Sequence, residues 1–193
     1  MASGTSRPGG RTARVREQVL AAVVEELAVN GLEGLGVDGV AARSGVHRAT
    51  VFRRWGDVGG LLADTFDAAA ADAWTPPDHG SLRADLEALA REVLEYVGPP
   101  ESSVRALMGA AERFPRASEA LHRFLDDRYR RSAVVVERAV ARGEVDGSVD
   151  PRRVLVGALG PLYHHLLHLG DAPTEADAAG YVRAVVDGLR RPT

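Results

Sequence analysis

One stretch of the chain encodes two short helices joined by a tight turn, and it constrains the fold more than any other. It covers residues 37–55 and reads VDGVAARSGVHRATVFRRW. Val37, Val40 and Ala41 recur at helical spacing, which predicts one apolar stripe on the first helix. Gly45 follows that helix and permits an abrupt reversal of the backbone. We therefore predict a helix-turn-helix.

The second helix of this stretch is predicted to have one buried face and one open face. Val51 and Trp55 are one turn apart and are expected to point inward. The outer side chains are small, hydroxylated, aromatic or basic, which suits contact with phosphates and base edges in a major groove. The DNA-contacting residues predicted here, with one more on the preceding long helix, are His47, Arg48, Ala49, Thr50, Phe52, Arg53, Arg54 and Arg14.

Residues 14–66 as a whole resemble the tetracycline-repressor family of one-component transcription regulators. The resemblance begins in a helix that ends LAVNGLEGL and continues through VDGVAARSGVHRATVF. It ends in a W-G-x-x-x-x-L-L pattern that opens a fourth helix. The order and spacing of these pieces all agree with the family.

Three positions depart from the family's usual pattern. Gly36 stands where Ser or Thr is usual, Phe52 where Tyr is usual, and Val58 where Lys is usual. Each usual residue can donate a hydrogen bond to a phosphate, so its replacement removes a contact with the DNA backbone. We expect binding to the DNA phosphates to depend more on Arg48, on Arg54 and on the amino-terminal arginines.

Composition and charge exclude several classes of function. The sequence contains no cysteine, which excludes disulfides, thiolate catalysis and thiolate-bound metal sites. No apolar run approaches the roughly 20 residues of a membrane helix, and no signal-peptide core is present. We expect a soluble cytoplasmic protein without a cofactor. Residues 1–56 contain eight arginines and five acidic residues, whereas residues 57–193 contain sixteen arginines and twenty-two acidic residues. The basic end of the chain therefore coincides with the predicted helix-turn-helix.

Helical periodicity continues along the rest of the chain, and we predict an all-α protein of about nine helices. Asp57, Asp150 and Thr174 are predicted N-caps, and the Pro-Pro and Gly residues of 74–80 mark a boundary. The predicted organisation is a flexible basic arm at 1–11, a helix-turn-helix domain at 12–56, a connector helix at 57–74 and a ligand-binding and dimerisation domain at 75–193.

The amino-terminal arm has two interpretations. Arg7, Arg11, Arg14 and Arg16 all precede the first acid of the chain. They can lie along DNA and contact phosphates or the minor groove. The alternative is a solubilising tail or a remnant of expression.

The resemblance implies a homodimer that binds a palindromic operator and is released by a small-molecule effector. The last two long helices would then pack against their mates in the partner copy. The residues assigned to the effector pocket are Leu107, Met108, Ala111, Phe124, Leu159, Leu162, Tyr163 and Leu166. The residues assigned to the dimer interface are Leu155, Leu162, Val182, Val185, Val186 and Leu189.

Two features of the eighth predicted helix admit alternatives. Gly157 and Gly160 precede Pro161, which predicts a bend near Gly157. That segment is either the wall of a ligand cavity or a tight helix crossing at a subunit interface. His164 and His168 share a face with the spacing of two metal ligands, beside His165. The alternative is that these histidines line a pocket, lie at an interface or face solvent.

Two other functions compete with the regulator. One is a helical metal-dependent enzyme or metal-binding protein that uses the three histidines, although no HExxH glutamate accompanies them. The other is an architectural DNA-binding protein without a ligand. Neighbouring acids point in different directions on their helices, so no paired-carboxylate device is predicted. We predict that the chain is not an enzyme.

Overall fold

The computed structural model describes residues 10–189, and within them the predicted all-α fold is confirmed. This range contains nine α-helices and no strand. The helices are α1 Gly10–Gly34, α2 Val37–Ser44, α3 Arg48–Trp55, α4 Val58–Ala70, α5 Leu82–Tyr96, α6 Ser103–Ala111, α7 Pro115–Ala141, α8 Pro151–His164 and α9 Glu175–Gly188. The predicted arm falls mainly on residues 1–9, outside the described range, and residues 10 and 11 belong to α1.

Contacts divide the chain into two compact units, and the division differs from the predicted domain boundaries. Unit 1 includes residues 10–68 and 106–121, whereas unit 2 includes 69–105 and 122–189. The boundary therefore falls within α4, and the end of α6 and the start of α7 join unit 1. The prediction places that later segment in the second domain, because sequence patterns define each domain as one continuous stretch.

Close packing at the start of α4 explains why the later segment joins unit 1. A Cβ atom on Gly60 would lie 2.0 Å from the carbonyl oxygen of Trp55, so only glycine fits there. A Cβ atom on Gly59 would lie 3.1 Å from Cβ of Phe114. These two glycines let the start of α4 lie directly against the end of α3 and the segment before α7.

Unit 1 contains the helix-turn-helix that the sequence predicts. α1 packs on α2, and α2 packs on α3. Gly45 ends α2 with φ 68°, a left-handed conformation that favours glycine and allows the sharp turn into α3. The apolar residues buried between these helices include Val19, Val23, Leu27, Val40 and Val51.

Unit 2 is built around α5, α8 and α9, which pack against one another. Its helix starts follow the predicted caps. Asp150 accepts from the backbone N–H of Arg152 at the start of α8, and Thr174 and Asp177 form the predicted capping box of α9. The leucines buried in this unit include Leu82, Leu86, Leu155, Leu162 and Leu166.

The hydrogen-bond pattern of the α8 region changes near the end of the helix. α8 is one continuous helix from Pro151 to His164 and passes through Gly157. A π-helical turn follows at His165–Leu169 and ends at Gly170, whose N–H donates to the carbonyl of His165. The change in hydrogen-bond pattern thus comes after Pro161. None of the helices within residues 10–189 is both long and apolar enough to cross a membrane.

Candidate nucleic-acid interface

Helix α3 has the two faces that the sequence predicts. Val51 and Trp55 are buried against unit 1, whereas Thr50 is half-buried. The other predicted DNA-contacting residues are exposed: His47, Arg48, Ala49, Phe52, Arg53, Arg54 and, on α1, Arg14. The arrangement leaves a mixed basic and apolar surface open to a partner.

His47 caps the start of α3. Its Nδ1 accepts a hydrogen bond from the backbone N–H of Ala49 at 3.2 Å. A side-chain acceptor at this position satisfies one of the N–H groups that the first turn of a helix leaves unpaired. The sequence placed His47 on the DNA surface but did not predict its role as a cap, because histidine is not among the usual capping residues.

The three arginines of α3 have different surroundings. Arg48 is ion-paired with Asp38 of α2. Arg54 donates from Nη1 to the carbonyl oxygen of Thr12 at 3.2 Å, and its guanidinium lies 4.9 Å from the centre of the Trp55 ring. The side chain of Arg53 has no hydrogen bond or ion pair with any other residue in the range 10–189. Arg53 is therefore the α3 cation most available to an incoming ligand.

A carboxylate on α4 holds α1 and α3 together. Asp64 accepts from Nη2 of Arg16 at 2.7 Å and from the indole Nε1 of Trp55 at 2.8 Å. Burial by itself raises the pKa of Asp64, but the hydrogen bonds from Arg16 and Trp55 outweigh it and hold that pKa below its usual value. Arg16, which the sequence grouped with the DNA-contacting arm, is instead engaged inside unit 1.

A second ion pair holds α2 on α1. The buried Glu26 accepts from Nε of Arg43 at 2.7 Å and from Nδ2 of Asn30 at 2.6 Å. The hydrogen bond from Arg43 is the main cause that lowers the pKa of Glu26. A Cβ atom on Gly39 would lie 3.1 Å from Oε2 of Glu26, so the carboxylate lies directly on the α2 backbone. Together, the Asp64 and Glu26 networks fix α2 and α3 relative to α1.

The residues assigned to the effector pocket do not lie in one unit. Leu107, Met108 and Ala111 are buried in unit 1. The other five belong to unit 2: Leu159, Leu162 and Leu166 are buried, whereas Phe124 and Tyr163 are half-buried. Burial is the main cause that raises the pKa of the Tyr163 phenol, and the nearby phenol of Tyr129 adds to it.

Two open pockets in the described part of unit 2 are lined by residues that the sequence does not assign to a ligand site. One, of about 120 Å³, lies between α5 and α9 and is lined by Glu87, Ala90, Arg91, Leu94, Glu175, Ala178 and Ala179. The other, of about 500 Å³, lies at the end of α7 and is lined by Val140, Gly143, Glu144, Val145, Asp146, Gly147 and Leu189. Neither is lined by a residue assigned to the effector pocket.

The residues assigned to the dimer interface separate into two groups. Leu155, Leu162 and Val182 are buried by their own chain, whereas Val185, Val186 and Leu189 are half-buried. A Cβ atom on Gly157 would lie 3.2 Å from Cγ2 of Val185, so part of the α9 stripe already packs on α8. Val156 of α8, absent from the prediction, is a large apolar residue with 41% of its surface exposed.

One member of the histidine cluster, His165, is hydrogen-bonded through its side chain. Nδ1 of His165 lies 2.8 Å from Oδ1 of Asp171, and Nε2 lies 2.9 Å from the hydroxyl oxygen of Tyr181. Both ring nitrogens of His165 thus have protein partners. Across residues 10–189 no three His, Asp or Glu side chains are grouped to hold a metal ion. The metal-dependent alternative has no support in this geometry.

Comparison with known proteins gives the family. A family model described as "Tetracyclin repressor-like, C-terminal domain" matches residues 76–185, which is more than half of the chain. The chain belongs to the tetracycline-repressor family. The resemblance predicted from residues 14–66 is therefore confirmed by a match over the other part of the chain.

Three relatives agree with this assignment. The HTH-type transcriptional regulator AqdR of Rhodococcus erythropolis is 32% identical over 167 residues, covering 85% of this chain and 80% of that protein. The DNA-binding transcriptional repressor TetR of Mycobacteroides abscessus is 29% identical over 179 residues, covering 90% and 93%. The crystal structure of the TetR family transcription regulator SCO0332 superposes with a TM-score of 0.71 and 29% identity, covering 92% and 100%. This TetR-family chain is a DNA-binding, helix-turn-helix transcription regulator.

Proposed function

We propose that this TetR-family regulator is a repressor that binds a palindromic operator as a homodimer and is released by a small-molecule effector. The observation that carries the proposal is the open outer face of α3, presented on a helix that Asp64 ties to α1 and α4. A tethered helix keeps its orientation as it enters a groove. Its relatives regulate genes in bacteria, where the DNA lies in the cytoplasm, and we place this protein there as well.

The small size of one DNA-contacting helix favours dimerisation. A single α3 of eight residues offers few base contacts, whereas two copies on a twofold axis double them without additional ordering of the chain. Major grooves on one side of DNA recur about every 34–36 Å, so the operator should contain two half-sites about one helical turn, or a multiple of it, apart.

Selection of DNA fragments from a random library tests the proposal. We expect the full chain to enrich one palindrome and to bind it with an affinity that falls steeply as salt increases. Enrichment of no sequence, with equal affinity for all fragments, would indicate the architectural alternative. Screening small molecules for release of the complex, with a reporter gene placed behind the operator, then tests the effector and the direction of regulation.

The first substitution that tests this surface is Arg53→Ala. If Arg53 binds a guanine in the groove, its loss should cost about 1–3 kcal/mol at the selected operator and little on unrelated DNA. Arg54→Ala should instead weaken binding to all sequences and reduce the salt dependence, because a phosphate contact carries no sequence information. Fluorescence anisotropy with operator and scrambled duplexes measures both.

The control for these variants is Arg130→Ala. Arg130 is an exposed arginine on α7, in unit 2. Its replacement by alanine removes the same charge at a position far along the chain from α3. It should leave both affinities unchanged. Equal loss of operator affinity in Arg130→Ala and Arg53→Ala would show that net charge, and not the α3 surface, is responsible.

A further inference from the structure

Phe52 is an exposed aromatic ring on the DNA-facing helix. It lies on α3 with 56% of its surface exposed. The other large apolar residues of α3, Val51 and Trp55, are buried. Within residues 10–189, Phe52 makes no ring contact or cation–π contact with another side chain. Its apolar surface is therefore open to a partner that reaches this helix.

The chemistry of phenylalanine limits what Phe52 can recognise in DNA. Its ring has no donor or acceptor, so it neither grips a phosphate oxygen nor pairs with the polar atoms of a base edge. The apolar group that base pairs present in the major groove is the C5-methyl of thymine. Contact with that methyl group removes apolar surface of both partners from water.

The neighbours of Phe52 favour such a contact. Ala49 lies three residues earlier, on the same side of α3, and its side chain is a single exposed methyl group. A small residue here lets the helix approach the base edges closely, and it extends the apolar strip that Phe52 begins. Arg53 follows directly and brings a guanidinium without a partner among residues 10–189.

We propose that Phe52 is a specificity-determining residue that binds the 5-methyl group of a thymine in each operator half-site. The inference rests on the proposed function, since it requires α3 to enter the major groove. It assigns to Phe52 a role in sequence preference, in contrast to the phosphate contacts expected of Arg54. DNA amplified in a test tube contains no 5-methylcytosine, so a methyl group read in it belongs to thymine.

The test replaces each thymine of the selected half-sites with deoxyuridine, which removes the methyl group and keeps every hydrogen-bonding atom. At one thymine position, replacement in a single half-site should reduce the affinity of the wild-type protein about fourfold, which corresponds to the free energy of burying one methyl-sized group. Substitution in both half-sites should cost on the order of fifteenfold, if the two contacts are independent.

The protein variants assign that loss to the ring. Phe52→Ala should bind the thymine operator more weakly and bind thymine and uracil operators equally, whereas Phe52→Tyr keeps the ring and should keep the thymine preference. Val29→Ala is the matched control, because Val29 is an apolar residue of α1 with 69% exposure, away from α3. It should retain the full preference. Circular dichroism confirms that each variant is folded.

The outcomes separate this inference from the proposed function. Tight wild-type binding to a palindrome that is indifferent to uracil at every position overturns the methyl contact and leaves the regulator intact. The same conclusion follows if Phe52→Ala keeps the thymine preference in full. Failure to select any palindrome overturns the proposed function, and the Phe52 contact with it.

Discussion

Replacing Asp64 with alanine is expected to destabilise unit 1 and to weaken operator binding at the same time. The substitution removes the carboxylate that accepts from the Arg16 guanidinium and the Trp55 indole N–H, and leaves Arg16 only the backbone carbonyl of residue 64. An unsatisfied polar group costs about 1–3 kcal/mol when buried, and we expect the lower end because the Arg16 and Asp64 side chains are 32% and 24% exposed. Thermal unfolding followed by circular dichroism measures the loss.

Operator affinity should fall in Asp64→Ala because Trp55 is the inward anchor of α3. Without the bond to Asp64, the indole ring remains buried but α3 loses a directional contact with α4. Asp64→Asn keeps an acceptor oxygen without the charge and should fall between wild type and Asp64→Ala in both measurements. Glu17→Ala, which removes an exposed acid of α1, is the control and should resemble wild type. Wild-type stability in Asp64→Ala would show that the network is not a structural tie.

Acid should remove the difference between wild type and Asp64→Ala. The folded-state pKa of Asp64 is lowered, so the stabilisation is fully present above the ordinary carboxyl pKa of about 4. It is lost as the pH falls through the lowered folded-state value, because the carboxyl group then binds a proton. Urea unfolding of both proteins over a series of pH values should show two curves that converge in acid and separate toward neutral pH.

Short-range patterns explain how much of this fold the sequence predicted. The turn at Gly45, the inward positions of Val51 and Trp55 and the caps at Asp150 and Thr174 each depend on residues within one or two helical turns. Local hydrogen bonding and helical periodicity determine such features, so a single sequence reveals them.

Long-range pairing explains what the sequence did not predict. Arg16 and Asp64 are 48 residues apart, and nothing in either neighbourhood identifies the other as its partner. The same holds for the segment 106–121, which joins unit 1 through contacts such as that of Phe114 with Gly59. The ion pair of Arg48 with Asp38 also joins two helices, and it gives Arg48 an alternative to a phosphate.

Apolar stripes carry a further ambiguity, because they show which face is covered but not which chain covers it. The sequence predicts that the stripe of α8 and α9 is a surface for a partner. Leu155, Leu162 and Val182 turn out to be buried by their own chain. A test of dimerisation therefore needs an apolar residue of the same helices that the single chain leaves open, and Val156 meets that condition.

Val156→Glu is expected to convert the dimer into monomers and to abolish high-affinity binding to the palindrome. Val156 is 41% exposed on α8, and Gly160, one turn further on, continues its face without a large side chain. A glutamate there reaches water in the single chain, so the fold should be retained. In a twofold interface the same substitution places two carboxylates in the apolar contact surface, and each is costly to bury unpaired. A charge at Val185 is a less clean test, since Val185 packs on Gly157 within the chain.

The matched control for Val156→Glu is Val104→Glu on α6. Val104 is a valine of similar exposure, 37%, and lies on a helix that the proposed interface does not use. Light scattering at micromolar concentration should give twice the 20.5 kDa chain mass for wild type and Val104→Glu, and one chain mass for Val156→Glu. The monomer should still unfold cooperatively and bind a single half-site weakly, because its α3 is intact. A dimeric Val156→Glu with a monomeric Val104→Glu would transfer the interface from α8 to the surface around α6.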